Sequence, residues 1–407
     1  MRNLELLAPA GDLEKLRIAV LYGADAVYLG GRQFSLRAGA GNFDDQELLA
    51  GIDFAHRHNV KVYVAVNIYA HNQDLDKLPD YLDFIAQAGA DAVIASDPGV
   101  IDMVLRLQPK LAVHLSTQAN TTNWASAAFW QRLGVQRIVL ARELSLPEIK
   151  GIGERVDIEL ESFVHGAMCM SYSGRCLLSN FMTGRDANRG DCAQSCRWRY
   201  HLVEEKRPGQ YFPVEEDERG TYFMSSKDLC LLEYIPQLAE AGISSFKIEG
   251  RMKSIHYLAT VVKVYRQALD AYLTNPQGYS VKPEWLAEIK KVSHREYTTG
   301  FLLGDQGQTA TVERNANSYT RLAAFVGLVQ NYDQETGRII VEQRNNFRLG
   351  ETLEVLTAKG DNLTITINEM YDGVTGEPIE VAPHPQQIVQ ITVQQPIPPM
   401  SMLRRLG

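Results

Sequence analysis

The chain has 407 residues, 45% hydrophobic and 22% charged, with a formal net charge of −8 at pH 7. That length suits two folding units better than one small core. The composition excludes a disordered or fibrous chain, and no apolar run approaches the roughly 20 residues of a membrane span.

The acidic balance argues against a protein held on nucleic acid by a broad positive surface, although local basic patches leave RNA open as a substrate. The start, MRNLELLAPAGD, moves directly into a strand pattern without signal-peptide anatomy, so a soluble cytoplasmic protein is expected. Four segments then share one pattern: YGADAVYLG from Tyr22, AGADAVIAS from Ala88, LGVQRIVLA from Leu133 and AGISSFKIE from Ala241. Each places a glycine (Gly23, Gly89, Gly134, Gly242) before an apolar run, which reads as a helix stopped by a C′ glycine and followed by a buried strand. Helices are expected over residues 13–22, 78–88 and 125–133, and strands over 5–7, 26–29, 62–66, 92–95, 112–115, 137–140, 158–163 and 245–248. Eight strands alternating with helices predict an α/β fold, a (β/α)8 TIM-like barrel; a doubly wound open sheet has the same periodicity.

Both architectures place ligands at the C-terminal ends of their strands. The polar residues there are Asn67, Asp97, Gln118, Asn120, Arg142, Glu143, His165, Glu249 and Arg251. Each alone reads as a cap or a loop hydrogen bond, Asp97 before Pro98 most clearly; together they form a candidate site.

Between strands seven and eight the pattern breaks for an insertion over residues 165–242. Its middle, 200–223, alternates charged with aromatic and apolar residues in the manner of a hairpin, and a helix over 229–241 is expected to return the chain to the barrel. After Arg251, SIHYLATVVKVYRQALDAYL is an amphipathic helix, with helical material to about residue 296. From residue 322 the chain turns to short β candidates (AFVGLVQ, RIIVEQ, ETLEVLT, NLTITINEM, QIVQITV), a small all-β barrel. The division expected is a barrel domain over 1–300, a linker over 301–321 and a β domain over 322–407.

All five cysteines, Cys169, Cys176, Cys192, Cys196 and Cys230, lie in the insertion. An odd number in a cytoplasmic chain does not suit a disulfide framework. Zinc knuckles favour Cys-x2-Cys, and neither close pair has that spacing. Irregular spacing on a segment that can fold around its ligand suits an iron–sulfur cluster; zinc and free or catalytic thiols stay open. Arg175, Arg185 and Arg189 nearby would lower thiolate pKa values or meet an anion, or simply be solvated. His165 and Cys169 have the spacing of a Cys–His nucleophile, but no Gly-x-Ser-x-Gly or His-Glu-x-x-His motif is present.

ESFVHGAMCMSYSGRCLLS, over residues 161–179, resembles the signature of peptidase family U32, and LLAPAG, YGADAVY, SDPG, SFKIEGRMKS and the β-rich end fit the same family. The likeness covers essentially the whole chain. NWASAAFWQRLGVQRIVLARELSLPEI and GRCLLSNFMTGRDANRGDCAQSCRWRY are similar to its tRNA-hydroxylating branch. The resemblance implies an oxygen-independent hydroxylase with a 4Fe–4S cluster, acting at C5 of the tRNA wobble uridine with prephenate as hydroxyl source. It implies Cys169, Cys176, Cys192 and Cys230 as ligands, with Cys196 as the alternative fourth. On that reading Arg142, Lys247 and Arg251 would meet a dicarboxylate, Gln118 and Asn120 would contact substrate, and His165 with Glu249 would form the acid–base pair. Trp198 and Tyr200 would stack on a base or pack in a core. tRNA and an electron-transfer or other partner protein are the implied partners, with no membrane. The rivals are a peptidase, as the family's name says, a non-enzymatic RNA- or protein-binding scaffold with a structural metal site, and a hydroxylase of ubiquinone precursors. In the family that last work resembles barrel-only chains, and the C-terminal domain here speaks against it.

Overall fold

The computed structural model describes residues 4–35, 42–168, 178–185, 193, 195, 202–203, 211–212, 215–217, 220–222, 227–304, 320 and 322–407. Eight parallel strands close on themselves. They are β1 (Glu5–Pro9), β2 (Ala26–Leu29), β3 (Lys61–Ala65), β4 (Ala92–Ala95), β5 (Ala112–Leu115), β6 (Arg137–Val139) and β7 (Glu159–Ala167), and then, beyond the insertion, β13 (Ile243–Ile248). The last pairs in parallel with both β7 and β1, so the sheet is a closed barrel and not an open one. Helices α1 (Leu13–Leu21), α2 (Asp45–Arg57), α3 (Asn72–Leu75), α4 (Leu78–Gln87), α5 (Pro98–Leu107), α6 (Trp124–Arg132) and α7 (Leu146–Gly153) follow the first six strands.

The repeated glycines explain the regularity. Gly23, Gly89, Gly134 and Gly242 have φ values of 110°, 90°, 99° and 101°, a region that costs an L side chain but not glycine. Beyond three of them the amide one residue on reaches back five residues, Ala24 to Ala19, Ala90 to Ile85 and Val135 to Trp130, satisfying carbonyls at the helix end. A further member of the set is Asn59, φ 58°, with Val60 N–H on the Ala55 carbonyl. Asparagine tolerates the left-handed region, so the device recurs there without a glycine.

The insertion contains α8 (Leu178–Thr183) and two short antiparallel ladders, β8 (Leu202–Val203) with β9 (Tyr211–Phe212) and β10 (Glu215–Asp217) with β11 (Gly220–Tyr222). The helix expected over 229–241 is instead a strand, β12 (Asp228–Cys230), a 3-10 turn (Leu232–Tyr234) and a shorter helix, α9 (Ile235–Glu240). Residues Asp228–Cys230 are drawn into an antiparallel ladder with the extension of β7, Asp228 opposite Ala167 and Cys230 opposite His165, which overrides their helical pattern. α10 (Ile255–Thr274) and α11 (Pro283–Ile289) complete the helical ring, and β14 (Tyr297–Thr298) pairs with β12. No described helix is long and apolar enough to cross a membrane.

The remaining strands are β15 (Ala323–Asp333), β16 (Arg338–Gln343), β17 (Phe347–Arg348), β18 (Thr352–Leu356), β19 (Leu363–Thr366), β20 (Met370–Asp372), β21 (Val381–Ala382), β22 (Ile388–Thr392) and β23 (Met402–Leu406). Seven of them form a curled antiparallel sheet in the order β19-β18-β23-β15-β16-β22-β20 over a core that includes Val326, Val341, Leu353, Ile391 and Leu403. It docks against α1, α10 and α11. Tyr22 Oη donates to the carbonyls of Leu356 and Met400, both at 3.0 Å. The buried Arg404 guanidinium pairs with Glu354 at 2.6 Å and Glu288 at 2.5 Å. Lys263 Nζ donates to the Thr357 carbonyl at 2.8 Å.

Candidate active site

Side chains alternate across each barrel strand. Leu6, Val27, Val62, Val93, Val113 and Ile138 face the helices and join the main core. The inward set is different. Aliphatic and aromatic residues, Leu7, Ala26, Tyr28, Tyr63, Ala92 and Ile94, make a separate cluster, and charged residues occupy much of the rest. Arg137 of β6 pairs with Glu5 of β1 at 2.5 Å, Glu159 at 2.7 Å and Glu161 of β7 at 3.2 Å. Glu161 also takes Lys247 of β13 at 2.7 Å, and Ser245 and Tyr63 donate to Glu5 at 2.9 and 2.6 Å. Burial opposes the Arg137 charge, but the carboxylates of Glu161 and Glu5 outweigh it and hold the guanidinium protonated well beyond the usual range. His114 beside this network is pushed down by burial and by Arg137, so it stays neutral.

Above Lys247 the column continues in aromatic and charged layers. The Lys247 ammonium lies 4.4 Å from the Tyr28 ring centroid and 5.3 Å from that of Phe163. The Arg142 guanidinium covers Phe163 at 3.7 Å, donates to the Ala167 carbonyl at 2.8 Å and meets Glu249 at 3.5 Å. Stacking on a ring and binding a carboxylate both suit a planar guanidinium. Arg142 and Glu249 therefore close the barrel interior at its C-terminal mouth.

The sequence-predicted residues separate on these grounds. Gln118, Asn120, Arg142 and Glu249 lie at the mouth, whereas His165, opposite Ile248 in the ladder, faces α10. Lys247 is inside, engaged by Glu161, so an anion would have to displace that carboxylate. Arg251 is buried, with Nη1 on Ser35 Oγ at 3.0 Å and Nη2 on Asn42 Oδ1 at 2.7 Å, and so braces the loop after β2. Asp97 caps α5, its carboxylate accepting from Val100 N–H at 3.0 Å. His165 is buried among Tyr257, Tyr265 and Tyr297, with ring centroids 5.3–6.0 Å away. Burial pushes its imidazole down to about 3, so it is neutral at ordinary pH. Glu249 N–H donates to the His165 carbonyl at 2.8 Å, which holds the two segments together.

Cys230 lies across the ladder from His165, and Tyr265 Oη reaches its Sγ at 4.0 Å and the Val164 carbonyl at 2.7 Å. Burial pushes this thiol up to about 11, which makes it a poor free nucleophile. Cys169, Cys176, Cys192, Cys196, Arg175, Arg189, Trp198 and Tyr200 lie outside the described residues. No cluster of three metal-ligating side chains occurs among the described ones.

Sequence reasoning missed Glu5, Tyr63, His114, Arg137 and Glu161. The signal was available: each is a polar residue one step out of phase within an apolar strand run. A cleft of about 610 Å³ beside the mouth, lined by Arg32, Asp44, Asp45, Lys77 and Tyr81 among others, contains none of the predicted site residues.

The model of peptidase family U32 matches residues 11–311 and that of the peptidase family U32 C-terminal domain matches residues 321–404; the chain belongs to this family. It is 46% identical over 401 residues to "tRNA hydroxylation protein P1" of Bacillus subtilis, covering 98% of this chain and 94% of that one. It is 38% identical to "tRNA hydroxylation protein P" of Escherichia coli, covering 96% and 94%. It is also 33% identical to the "23S rRNA 5-hydroxycytidine C2501 synthase" of Escherichia coli, covering 93% of this chain and 55% of that one.

Proposed function

We propose that this chain is an RNA hydroxylase whose substrate is tRNA, acting at C5 of the wobble uridine. Similarity over nearly the full length of two relatives named for tRNA hydroxylation carries the reading. The mouth geometry supports it: a barrel plugged from below by paired charges presents a polar wall at its C-terminal end, the surface that TIM-like enzymes use for chemistry. Arg142, stacked on Phe163 and paired with Glu249, is the group on this wall suited to a carboxylate such as prephenate, proposed as the hydroxyl source.

A 4Fe–4S cluster on Cys169, Cys176, Cys192 and Cys230, with Cys196 as the alternative fourth ligand, belongs to the same proposal and would supply redox chemistry, with electrons from a partner protein. The position of Cys230 supports it. It sits on the strand paired with the chain leading into Cys169, and its buried thiol, protonated at ordinary pH, would lose that proton on binding a metal. Glu249 and His165 are the proposed proton-transfer groups. The His165 imidazole is neutral, and its buried Nε2 has no hydrogen-bond partner among the described residues.

The test is nucleoside mass spectrometry of tRNA from a host lacking its own hydroxylase and supplied with this chain. Restored 5-hydroxyuridine derivatives, lost on Arg142→Ala with the fold intact, support the proposal. Soluble, folded protein with unmodified tRNA would overturn it. Peptide cleavage by the same preparation would reinstate the peptidase.

A further inference from the structure

The polar groups at the barrel mouth divide into those fully engaged and those that keep one buried atom without a partner. Four of the second kind lie on two joined loops. Gln118 Oε1 accepts from Asn67 Nδ2 at 2.9 Å and from Ser116 Oγ at 3.1 Å, which fixes the amide orientation. Its Nε2 donor is then buried with no partner among the described residues. Asn120 stands two residues on, at φ 51°, with Oδ1 buried and, among the described residues, unpartnered; so are Thr121 Oγ1 and Arg142 Nε. Thr117 Oγ1 donates to the Leu140 carbonyl at 3.1 Å and Ala141 N–H to the Thr121 carbonyl at 3.4 Å, so the loops after β5 and β6 form one unit.

Buried polar atoms in folded proteins are nearly always paired. Four that lack a partner among the described residues, both donors and acceptors, on one joined pair of loops mark a place built to hydrogen-bond a polar ligand. We infer that Gln118 and Asn120 read the pairing edge of a uracil base, Gln118 Nε2 donating to O4 and Asn120 Oδ1 accepting from N3–H. This deepens the proposed function and rests on it. Cytosine presents the reverse pair, an amino donor at C4 and a bare acceptor at N3, so it would set donor against donor and acceptor against acceptor. Both bases share the O2 acceptor, to which Thr121 or Arg142 donates without discriminating. A site whose buried groups would be left unpaired by the wrong ligand discriminates far better than an apolar one.

The experiment measures binding of the full chain to two anticodon stem-loop RNAs, identical except for uridine or cytidine at the first anticodon position, by fluorescence anisotropy. Wild type is expected to favour uridine by about tenfold or more, the effect of one mispaired buried hydrogen bond. Gln118→Glu exchanges the donor for an acceptor and is expected to bring the ratio to one or below while cytidine binding is kept. Asn120→Asp retains the acceptor and the preference; Asn120→Leu loses it, and provides an independent arm if Gln118→Glu misfolds. Equal binding of both RNAs by wild type, or an unchanged ratio in Gln118→Glu and Asn120→Leu, overturns the inference and leaves tRNA as substrate. Binding to neither RNA removes the RNA substrate itself, and the inference with it.

Discussion

Glu161 is the most informative residue to change, because it bridges two cations with no exposed side-chain surface of its own. Glu161→Gln keeps the volume and removes the charge. Lys247, 2.7 Å away, is then left among Tyr28 and Phe163 without a carboxylate, while Arg137 retains Glu5 and Glu159. At an effective dielectric constant near 20, the lost Lys247 attraction is about 6 kcal/mol before desolvation is subtracted. Breaking one partner of a buried pair costs about 3–5 kcal/mol in practice. Lys247→Met should cost a similar amount, since it strands Glu161 on Arg137 alone. The double variant should cost less than the sum of the two single changes, because neither charge remains to be left unpaired, giving a coupling of about 2–4 kcal/mol. Urea unfolding followed by fluorescence and circular dichroism measures all four corners of the cycle. Costs that add to within about 0.5 kcal/mol would show that the two side chains do not act as a pair, and the charged-column description would be refuted.

Four further outcomes are expected. Gly89→Ala meets no atom closer than 3.7 Å, so thermal unfolding should report only the strain of φ 90°, about 1–2 kcal/mol. Tyr265→Phe removes the donor to the buried Val164 carbonyl and should cost about 1–3 kcal/mol, read by the same method. His165 has a folded value near 3 against an ordinary 6.5, so the unfolded chain takes up its proton first as pH falls. Its contribution is fully present above 6.5 and declines toward 3 at up to about 1.4 kcal/mol per pH unit, and His165→Gln should flatten that slope in a pH series of urea midpoints. Arg404→Met should loosen the docking of the C-terminal sheet by removing two ion pairs, detected as faster amide exchange in α11 and β18 with β16 and β22 unchanged.

The barrel was legible because its punctuation is local. A glycine in the left-handed region ends each of several helices, and that requirement leaves a repeated mark in sequence; Asn59 escaped only because asparagine meets the same need. What could not be read were pairings decided by distant partners. Asp228–Cys230 belong to a helical pattern until β7 claims them. MLRRL, with two arginines, does not look like a central strand, yet β23 lies between β18 and β15, and Arg404 is buried there because Glu288 and Glu354 meet it. Lys247 and Arg251 were read as ligand-binding cations from their position at strand ends, a position that does not reveal Glu161, Ser35 or Asn42 opposite them.

The charged column bears on the mouth above it. A parallel barrel is commonly filled by branched apolar side chains, which would leave the strand-end loops free to adjust. Here Arg137, Glu161 and Lys247 link three strands by hydrogen-bonded charges, and the Phe163 ring carries that order up to Arg142, which in turn fixes Ala167 and Glu249. With Arg142 held by a ring, a carbonyl and a carboxylate, and Gln118 by Asn67 and Ser116, the groups at the rim keep their orientation before a ligand arrives. On the proposed reading, a base with the matching edge would gain hydrogen bonds without the cost of ordering the side chains that make them, and a mismatched base could not recover by turning the Gln118 amide, because doing so would break the bonds that hold it.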